Sequence, residues 1–391
     1  MRLLIIVDKY PPSTSSAATQ MKSLVDDLAK RSIELYIIVP DSTIKHKYTI
    51  EKTKNVSLIK FYLKDLNKES YMMRAFYEFS LSFRIIKLVK SIDLFKDING
   101  VIWYSPSIFY GPLISWLKKE YECKTYCILR DIFPQWALDL KIIKKGIAYY
   151  ILKYFEAKQY QEADYIGIQS KSNRKYFELN YQKHLKKIEI LNNWYSDLPQ
   201  EKCNIDLNSY RSNFDHVMLY AGNIGPAQDL KHLINLFSHK NFSDCLLVFV
   251  GEGREKEDLR KSVSSNNILF FDQVPSCQII DLYKQVDIGI ISLDVNHKTH
   301  NIPGKLLTYI AAQLPVFAVV NPNNDLISYI EKYKIGTVVQ KHDILSMTNS
   351  LQQCISMTKA DKNIGERCKK MMADNFTTEM IGKRLYDIFT R

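Results

Sequence analysis

The sequence predicts an α/β protein of two doubly wound, Rossmann-like domains that face a central cleft. Apolar runs of strand length alternate with helix-like segments, and this alternation begins at residue 1 and begins again near residue 216. Strands buried on both faces of a parallel sheet are continuous apolar runs, and the connecting helices cover those faces. The length of 391 residues also suits two domains better than one.

The first half opens with a strand, a loop of small residues, a helix and a second strand, which is the start of a βαβ unit. The strand is MRLLIIVD, the helix is ATQMKSLVDDLAKRS, and the second strand is IELYIIVP. Further strands are predicted at VIWYSP, TYCILRDI and YIGIQS. A polar, turn-rich stretch begins at Asn192, and we therefore assign residues 1–196 to the first domain.

The second half repeats the pattern from HVMLYAGNIG, which predicts a strand followed by a glycine loop. The further predicted strands are CLLVFVGEG, NILFFDQV, VDIGIISL, PVFAVV and GTVVQ, with helix-like segments between them. Residues 197–374 therefore form the second predicted domain. TEMIGKRLYDIFT, within residues 375–391, predicts a C-terminal helix that packs back toward the first domain.

Composition argues against several classes of protein. No run of about 18 consecutive apolar residues occurs, so no membrane-spanning helix is expected. The N-terminus lacks the long apolar region and the cleavage site of a signal peptide, which predicts a cytoplasmic chain. The seven cysteines are scattered without a CxxC pair, and the eight histidines show no metal-binding spacing. We therefore expect neither a disulfide framework nor a metal site.

Charge is distributed unevenly along the chain. Residues 1–200 contain 32 Lys and Arg against 21 Asp and Glu, a net charge of +11, whereas the rest carries +1. This asymmetry indicates a polyanionic partner, either nucleic acid or an anionic membrane. No nucleic-acid-binding motif is present, while YMMRAFYEFSLSFRIIKLVKSI and LKIIKKGIAYYILKYFEAK combine basic and aromatic residues as a membrane-surface segment does. The alternative for the first segment is packing on its own domain's core.

Three loops of the second half place glycine or a basic residue directly after a strand. They are LYAGNIG with Gly222 and Gly225, FVGEGREKEDL with Gly251, Gly253 and Arg254 opening a helix, and HNIPGKLL with Pro303, Gly304 and Lys305. Glycines let backbone N–H groups approach a phosphate, and a helix N-terminus beside a cation favours an anion. Singly, each has a plain alternative: a tight turn, a helix-surface arginine or a solvated lysine. Together they indicate a diphosphate-bearing ligand.

Arg130 and Asp131 end the predicted strand TYCILRDI of the first domain. At the carboxyl end of a strand they would lie in the expected cleft. Asp131 could then act as a base or bind a hydroxyl group. The alternatives are a local ion pair with Arg130 or an aspartate that caps the next helix.

These motifs occur together in a known family. LLIIVDKYPP, IWYSPSIFYGPL, LRDIFPQWALD, LYAGNIGPAQDL, VGEGREKEDL and IPGKLLTYIAAQLPV follow in this order over nearly the whole chain. They resemble the family-4 glycosyltransferases of GT-B architecture, and more closely they look like the WbuB-type enzymes of bacterial O-antigen and capsule assembly. The resemblance implies a UDP-sugar donor in the second domain, a polyprenyl-diphosphate-linked sugar acceptor in the first, the inner face of the cell membrane as location, and no metal or cofactor. WbuB-type relatives suggest UDP-N-acetyl-L-fucosamine as donor and a GlcNAc-diphospholipid as acceptor.

The resemblance also implies roles for individual residues. Gly222, Asn223 and Gly225 would lie near the diphosphate or the donor sugar, and the backbone at Gln273 and Val274 would contact the base. The further donor-binding residues it implies are Arg254, Pro303, Gly304, Lys305, Leu306 and Thr308. The loop PPSTSSAAT, with Ser15, Ser16 and Ala17, would contact the acceptor.

This sequence departs from the family pattern at two places. Relatives commonly carry a pair of glutamates where His300 and Thr308 stand here, and often paired glycines where PPSTSSAAT stands. The stereochemical course therefore stays open. In a retaining reaction the leaving diphosphate can accept the acceptor's proton, whereas an inverting reaction needs a base, for which Asp131 is the candidate. Two other functions remain as alternatives: a UDP-sugar 2-epimerase of the same architecture, and a catalytically silent nucleotide-sugar-binding protein.

Overall fold

The computed structural model of the chain describes residues 1–13, 15–64, 71–105, 107–139, 141–197, 200–295 and 301–391, with the backbone alone over 71–76. The chain divides into two compact units. Unit 1 comprises Met1–Asn192 together with Thr378–Arg391, and unit 2 comprises Asn193–Thr377.

Unit 1 contains one mostly parallel sheet. Its strands are β1 (Arg2–Ile6), β2 (Glu34–Asp41), β3 (Tyr48–Lys52), β4 (Val56–Tyr62), β5 (Gly100–Ser105), β6 (Lys124–Leu129), β7 (Tyr165–Ile168) and β8 (Ile188–Ile190). Their order is β3-β4-β2-β1-β5-β6-β7-β8, and β3 pairs with β4 in the antiparallel direction. The helices between them are α1 (Ser16–Lys30), α2 (Tyr71–Ser91), α3 (Gly111–Tyr121), α4 (Gln135–Asp139), α5 (Ile147–Glu162) and α6 (Arg174–Asn180).

The first strand lies at the centre of this sheet. Leu3–Ile6 are fully buried, and Ile5 pairs with Ile37 of β2 on one side and with Ile102 of β5 on the other. The chain therefore winds outward from β1 in one direction and later from β5 in the other. In such sheets, ligands bind beyond the carboxyl ends of the strands at the point where the direction reverses.

Helix α1 follows the predicted spacing. Met21, Leu24, Val25 and Leu28 share one face and are buried, as apolar residues three and four apart in a helix should be. The helix begins where the Oγ of Ser15 accepts a hydrogen bond from the N–H of Ala18. Serine is a favoured N-cap because its oxygen satisfies one of the unpaired N–H groups of the first turn.

Unit 2 contains a sheet in which every pair of neighbouring strands is parallel. Its strands are β9 (His216–Ala221), β10 (Cys245–Val250), β11 (Ile268–Phe271), β12 (Ile288–Ser292), β13 (Val316–Val319) and β14 (Gly336–Val339). Their order is β11-β10-β9-β12-β13-β14, so the direction reverses between β9 and β12. The helices are α7 (Lys231–Phe237), α8 (Lys256–Ser262), α9 (Ile279–Tyr283), α10 (Gly304–Ala311), α11 (Asp325–Tyr333), α12 (Ile344–Ala360) and α13 (Ile364–Asn375).

The last helix, α14 (Thr378–Thr390), belongs to unit 1 although it follows unit 2 in the chain. Leu385 on its inner face is fully buried. The guanidinium of Arg384 pairs with Glu189 at 2.6 Å, and the Nζ of Lys124 donates to the carbonyl of Ile388 at 3.2 Å. The helix is thus held by both apolar burial and polar contacts.

Candidate functional site

Two glycine loops of unit 2 lie against each other beyond the carboxyl ends of β9 and β10. The N–H of Gly222 donates to the carbonyl of Val250 at 2.9 Å, and the N–H of Ile224 donates to that of Glu252 at 2.8 Å. The N–H of Glu255 in turn donates a hydrogen bond to the carbonyl of Ile224 at 3.2 Å. These bonds bring the loop at residues 222–225 and the loop at residues 251–255 together at one edge of the sheet.

The glycines of the second loop are required by this close approach. A Cβ at Gly251 would lie 1.9 Å from the carbonyl oxygen of Gly222, and one at Gly253 would lie 2.0 Å from that of Ile224. Both distances are far below van der Waals contact, so no side chain fits at either position. Loop packing therefore accounts for Gly251 and Gly253 without a ligand, which is the plainer of the two interpretations that the sequence allowed.

Lys305 is the second residue of α10, as predicted. Its Nζ lies 3.9 Å from the centroid of the Tyr220 ring, and a Cβ at Gly222 would lie 3.5 Å from its Cε. Gly222 thus leaves room for the lysine beside the first glycine loop. Pro303 is the N-cap residue of α10, and it provides no side-chain hydrogen bond to the first turn.

The electrostatic setting of Lys305 favours an anion. Within the described part of the chain no carboxylate pairs with its ammonium, and burial lowers the pKa of Lys305 to about 7. An ammonium that is desolvated without a counter-charge is a costly arrangement, and the aromatic face of Tyr220 offsets only part of that cost. A phosphate at this helix N-terminus would supply the missing charge and accept from N–H groups of the first turn.

Arg254 does not open a helix, and that prediction is wrong. The residue is exposed in a turn, and α8 begins two residues later at Lys256, which is buried and pairs with Glu252 at 2.8 Å and with Asp272 at 2.6 Å. The helix starts later because residues 253–255 are held by the first glycine loop. Arg254 nevertheless stays an exposed cation on the loop that contacts Ile224.

The other predicted donor-binding residues lie around these loops. Asn223 is exposed and donates to the side-chain oxygen of Gln228 at 2.9 Å. Gln273 and Val274 follow β11, and the N–H of Gln273 already donates to Glu252 at 3.4 Å.

Thr308 and its neighbours occupy the first turns of α10. The Oγ1 of Thr308 donates to the carbonyl of Lys305 at 3.0 Å and lies 3.2 Å from the hydroxyl of Tyr283. Leu306 is fully buried and anchors the helix, whereas Gly304 is exposed. His300, the other position of the expected glutamate pair, lies outside the described residues.

In unit 1, charged residues follow the central strands. Asp131 is exposed directly beyond β6, and the guanidinium carbon of Arg130 lies 5.5 Å from the centroid of the Tyr104 ring. The side-chain amide of Gln169 donates to the carbonyl of Arg130 at 2.6 Å, which fixes the backbone there. Ser15, Ser16 and Ala17 lie at the start of α1, where the Ser15 hydroxyl serves as the N-cap.

Asp8 is a carboxylate that the sequence analysis did not select. It follows the central strand β1, its Oδ1 is buried without a hydrogen-bond partner in the described part of the chain, and burial raises its pKa. The negative charge of Asp131 adds to that increase, so the two carboxylates share one electrostatic environment. An acidic residue directly after a fully buried strand was the available signal in the sequence.

Most of unit 2 resembles a known family. Residues 208–371 match the family described as glycosyl transferases group 1. The chain is also 18% identical over 240 residues to the probable glycosyltransferase WbjE of Pseudomonas aeruginosa, and it spans 59% of that relative's length.

Solved structures resemble the whole chain. Sucrose-phosphate synthase from Thermosynechococcus elongatus superposes with a TM-score of 0.74 at 11% identity, covering 100% of this chain and 98% of the other. WaaG, a glycosyltransferase involved in lipopolysaccharide biosynthesis, superposes with a TM-score of 0.67 at 15% identity, covering 99% of each chain. The predicted α/β fold of two doubly wound domains is thereby confirmed as a GT-B fold.

In unit 1, α5 presents an apolar face to solvent. Ile147 is 83% exposed, and Tyr150, Ile151 and Tyr154 continue the same face at helical spacing. The α2 residue Phe79 is adjacent through its ring contact with Phe155 of α5, at a centroid distance of 5.4 Å. Exposed lysines precede the helix at positions 141, 144 and 145. In the part of the chain that the structure describes, no helix combines the length and the apolar character needed to span a bilayer.

Proposed function

We propose that the chain transfers a sugar from a UDP-sugar to a polyprenyl-diphosphate-linked sugar at an anionic membrane surface, in the assembly of O-antigen or capsule. Unit 2 would bind the donor, and unit 1 would bind the acceptor. N-acetyl-L-fucosamine, or a related N-acetyl sugar, is the proposed group transferred. One observation carries the proposal: Lys305 lies desolvated at a helix N-terminus, beside a glycine loop and without a carboxylate partner in the described residues.

The mechanism follows from where negative charge develops. Breaking the bond between the sugar and the diphosphate places charge on the leaving phosphate, and preorganised donors lower the barrier by stabilising that charge. Lys305 and the N–H groups of α10 are such donors, and the exposed Arg254 can reach an anion at the adjacent loop. No divalent cation is then needed at the diphosphate, so we expect the same transfer rate with and without added Mg²⁺ or Mn²⁺.

Similar solved structures support a nucleotide-sugar donor. One is described as trehalose-6-phosphate from E. coli bound with UDP-2-fluoro glucose, and it superposes with a TM-score of 0.72 at 11% identity. Another, starch synthase IV from Arabidopsis thaliana, is described as bound to ADP and acarbose. The choice of uridine and of an N-acetyl sugar rests on the family resemblance of the sequence motifs.

Peripheral membrane binding is supported by the exposed apolar face of α5 and the lysines before it. Apolar residues that insert into the headgroup region beside cations that attract anionic lipid form a typical interfacial surface. The net charge of +11 over residues 1–200 adds a longer-range attraction. A lipid-linked acceptor would then reach unit 1 without leaving the membrane.

Calorimetric titration with UDP tests the donor site. Lys305→Ala should weaken UDP binding by about tenfold to a hundredfold, since a hydrogen bond to a charged group contributes about 1.5–3 kcal/mol. Lys332→Ala is the matched control, because Lys332 also lies over an aromatic ring, that of Tyr333, but on α11. Equal UDP affinity in the wild type and in Lys305→Ala would refute the proposed site.

A donor panel tests the reaction itself. The full chain is incubated with GlcNAc-diphospholipid and a series of UDP-N-acetyl sugars, and the lipid product and its anomeric configuration are determined. We expect UDP release that depends on the lipid acceptor, with one donor strongly preferred. Conversion of UDP-GlcNAc to UDP-ManNAc without lipid would instead identify a 2-epimerase, and UDP binding without any turnover would identify a silent binding protein.

A further inference from the structure

Three side chains of unit 2 that could bind a metal ion converge near the first glycine loop. They are Asp229, His232 of α7 and His342, which lies three residues beyond β14. One potential donor atom from each lies within 4.8 Å of the others. His342 is far from the other two residues in the sequence, so spacing could not have revealed this cluster.

Hydrogen bonds fix the tautomer of His232. The Oγ of Ser292 donates its single proton to the carbonyl of Gln228, and it lies 3.2 Å from the Nε2 of His232. Because that proton is already used, the Nε2 of His232 must be the donor to Ser292. The Nδ1 of a neutral His232 therefore carries a lone pair.

That lone pair faces a carboxylate. The Nδ1 of His232 lies 3.5 Å from the Oδ2 of Asp229 and is buried without a hydrogen-bond partner in the described part of the chain. The Nδ1 of His342 lies 3.1 Å from the same oxygen. Two acceptor atoms that face each other in a buried setting repel, unless a cation lies between them.

We propose that Asp229, His232 and His342 form a binding site for a divalent transition-metal ion, for which zinc is the best match. Imidazole and carboxylate are common zinc ligands, at about 2.0–2.2 Å from the ion. In a tetrahedral complex the donor atoms of such ligands lie about 3.3 Å apart. The Oδ2 of Asp229 lies 3.1 Å from the Nδ1 of His342 and 3.5 Å from the Nδ1 of His232, and these two distances bracket that value.

The surroundings also have the features of a metal site. The hydrogen bond from His232 to Ser292 is the outer contact that orients a ligating histidine and fixes its tautomer. Asp229 is 38% exposed, which leaves an entry route for the ion, whereas the two rings are mostly buried. Asp229 and His232 follow the loop at residues 222–225, and His342 precedes α12. The ion would therefore join these segments and would not contact the donor diphosphate.

Zinc titration of the zinc-free full chain, in competition with a chromophoric chelator, tests the site. We expect one equivalent to bind, with the affinity lowered at least about a hundredfold in His342→Ala and in Asp229→Asn, and about tenfold in Ser292→Ala. His239→Ala is the control, because this exposed histidine of the same unit is not part of the cluster. Absence of binding, or equal affinity in the control and in His342→Ala, would overturn the proposal.

A spectroscopic measurement on the unaltered chain covers the case in which a variant does not fold. Co²⁺ in a four-coordinate site of nitrogen and oxygen ligands gives strong visible bands, and Zn²⁺ should displace it and abolish them. Zinc should also raise the melting temperature of the wild type, because a ligand that binds only the folded state stabilises it. Weak bands typical of six-coordinate Co²⁺ would show adventitious surface binding and would contradict the site.

Discussion

At the scale of single residues, the donor site depends on how Lys256 and Lys305 of unit 2 differ. Lys256 is buried between Glu252 and Asp272, so its charge is already balanced. Lys305 lies against the Tyr220 ring, and no carboxylate of the described residues pairs with it. Burial of a cation disfavours its charged form unless an anion compensates. An anionic ligand would therefore gain more from Lys305 than from Lys256.

Lys305 should make donor binding depend on pH. Its pKa is lowered to about 7 in the free protein, and a bound diphosphate should raise it. Below about pH 7 the ammonium is charged in both states, so affinity is constant. Above about pH 7 the protein must take up a proton to bind, and UDP-GlcNAc affinity should fall by up to about tenfold per pH unit.

Calorimetry from about pH 6 to about pH 8.5 checks this dependence. Lys305→Arg is the matched variant, because a guanidinium stays charged over this range, and its affinity should be independent of pH. Tyr220 does not interfere, since burial raises its pKa further above the range. A pH-independent affinity in the wild type would show that Lys305 does not pair with the diphosphate.

The second residue-scale prediction concerns Asp131. If Asp131 accepts the proton of the attacking hydroxyl, Asp131→Asn should lower kcat at least about a hundredfold and leave UDP affinity unchanged. Asp93→Asn is the control, because Asp93 is an exposed aspartate of unit 1 that pairs with Lys96. Steady-state kinetics with the lipid acceptor provides the measurement.

Asp8→Asn separates the two carboxylates. Asp8 is partly buried beyond β1 and its pKa is raised, which is the environment of a stronger base, whereas Asp131 is exposed. A loss of turnover confined to Asp8→Asn would contradict the role of Asp131. Near-normal turnover in both variants would indicate that the leaving diphosphate accepts the proton.

At the scale of elements, sequence patterns located the central strands and the long helices. Strand β1 and the buried face of α1 could be predicted because their apolar residues follow one period without interruption. Strands β3, β4 and β8 were not predicted, since β3 is partly exposed and β8 has only three residues. The start of α8 was misplaced because contacts with another loop, which no local pattern encodes, fix residues 253–255.

Helix α5 provides an element-scale prediction. Replacing Ile147 and Ile151 together by serine should weaken binding of the full chain to vesicles of anionic phospholipid by about tenfold or more, because each inserted side chain contributes about 1.5–3 kcal/mol when fully buried. Leu345→Ser, at an exposed leucine of α12, is the control. Cosedimentation at low and high salt would separate the apolar contribution from the electrostatic one.

Undiminished vesicle binding in the double variant would contradict the proposed membrane face. The outcome matters beyond this helix, since the sequence alone allowed two interpretations of the segment that forms α2: a membrane surface, or packing on its own domain's core. The exposed fractions of Ile147 and Tyr154 show that this face of α5 is not part of the core of unit 1. Apolar side chains clustered on one exposed helix face are typical of an interaction surface.

At the scale of the whole molecule, chain order and spatial order differ. Thr378–Arg391 follow unit 2 in the sequence but belong to unit 1. The guanidinium of Arg31, directly after α1, donates to the carbonyl of Glu379 at 3.2 Å, and a Cβ at Gly100 would lie 2.3 Å from the ring of Phe389. Helix α14 therefore packs closely on elements of residues 1–192, and unit 1 is complete only after residues 378–391 have been synthesised.

Leu385→Ala tests this arrangement. The side chain is fully buried in α14, so its truncation should lower the free energy of unfolding by about 2–5 kcal/mol. The loss should appear in unit 1, as faster hydrogen exchange in α1 and β5, while exchange over unit 2 stays unchanged. Leu233→Ala is the matched control, because Leu233 is equally buried in α7 of unit 2. This variant should show faster hydrogen exchange over unit 2 and unchanged exchange in α1 and β5. Faster exchange confined to residues 193–377 in Leu385→Ala would contradict the assignment of α14 to unit 1, because a cavity loosens first the elements that line it.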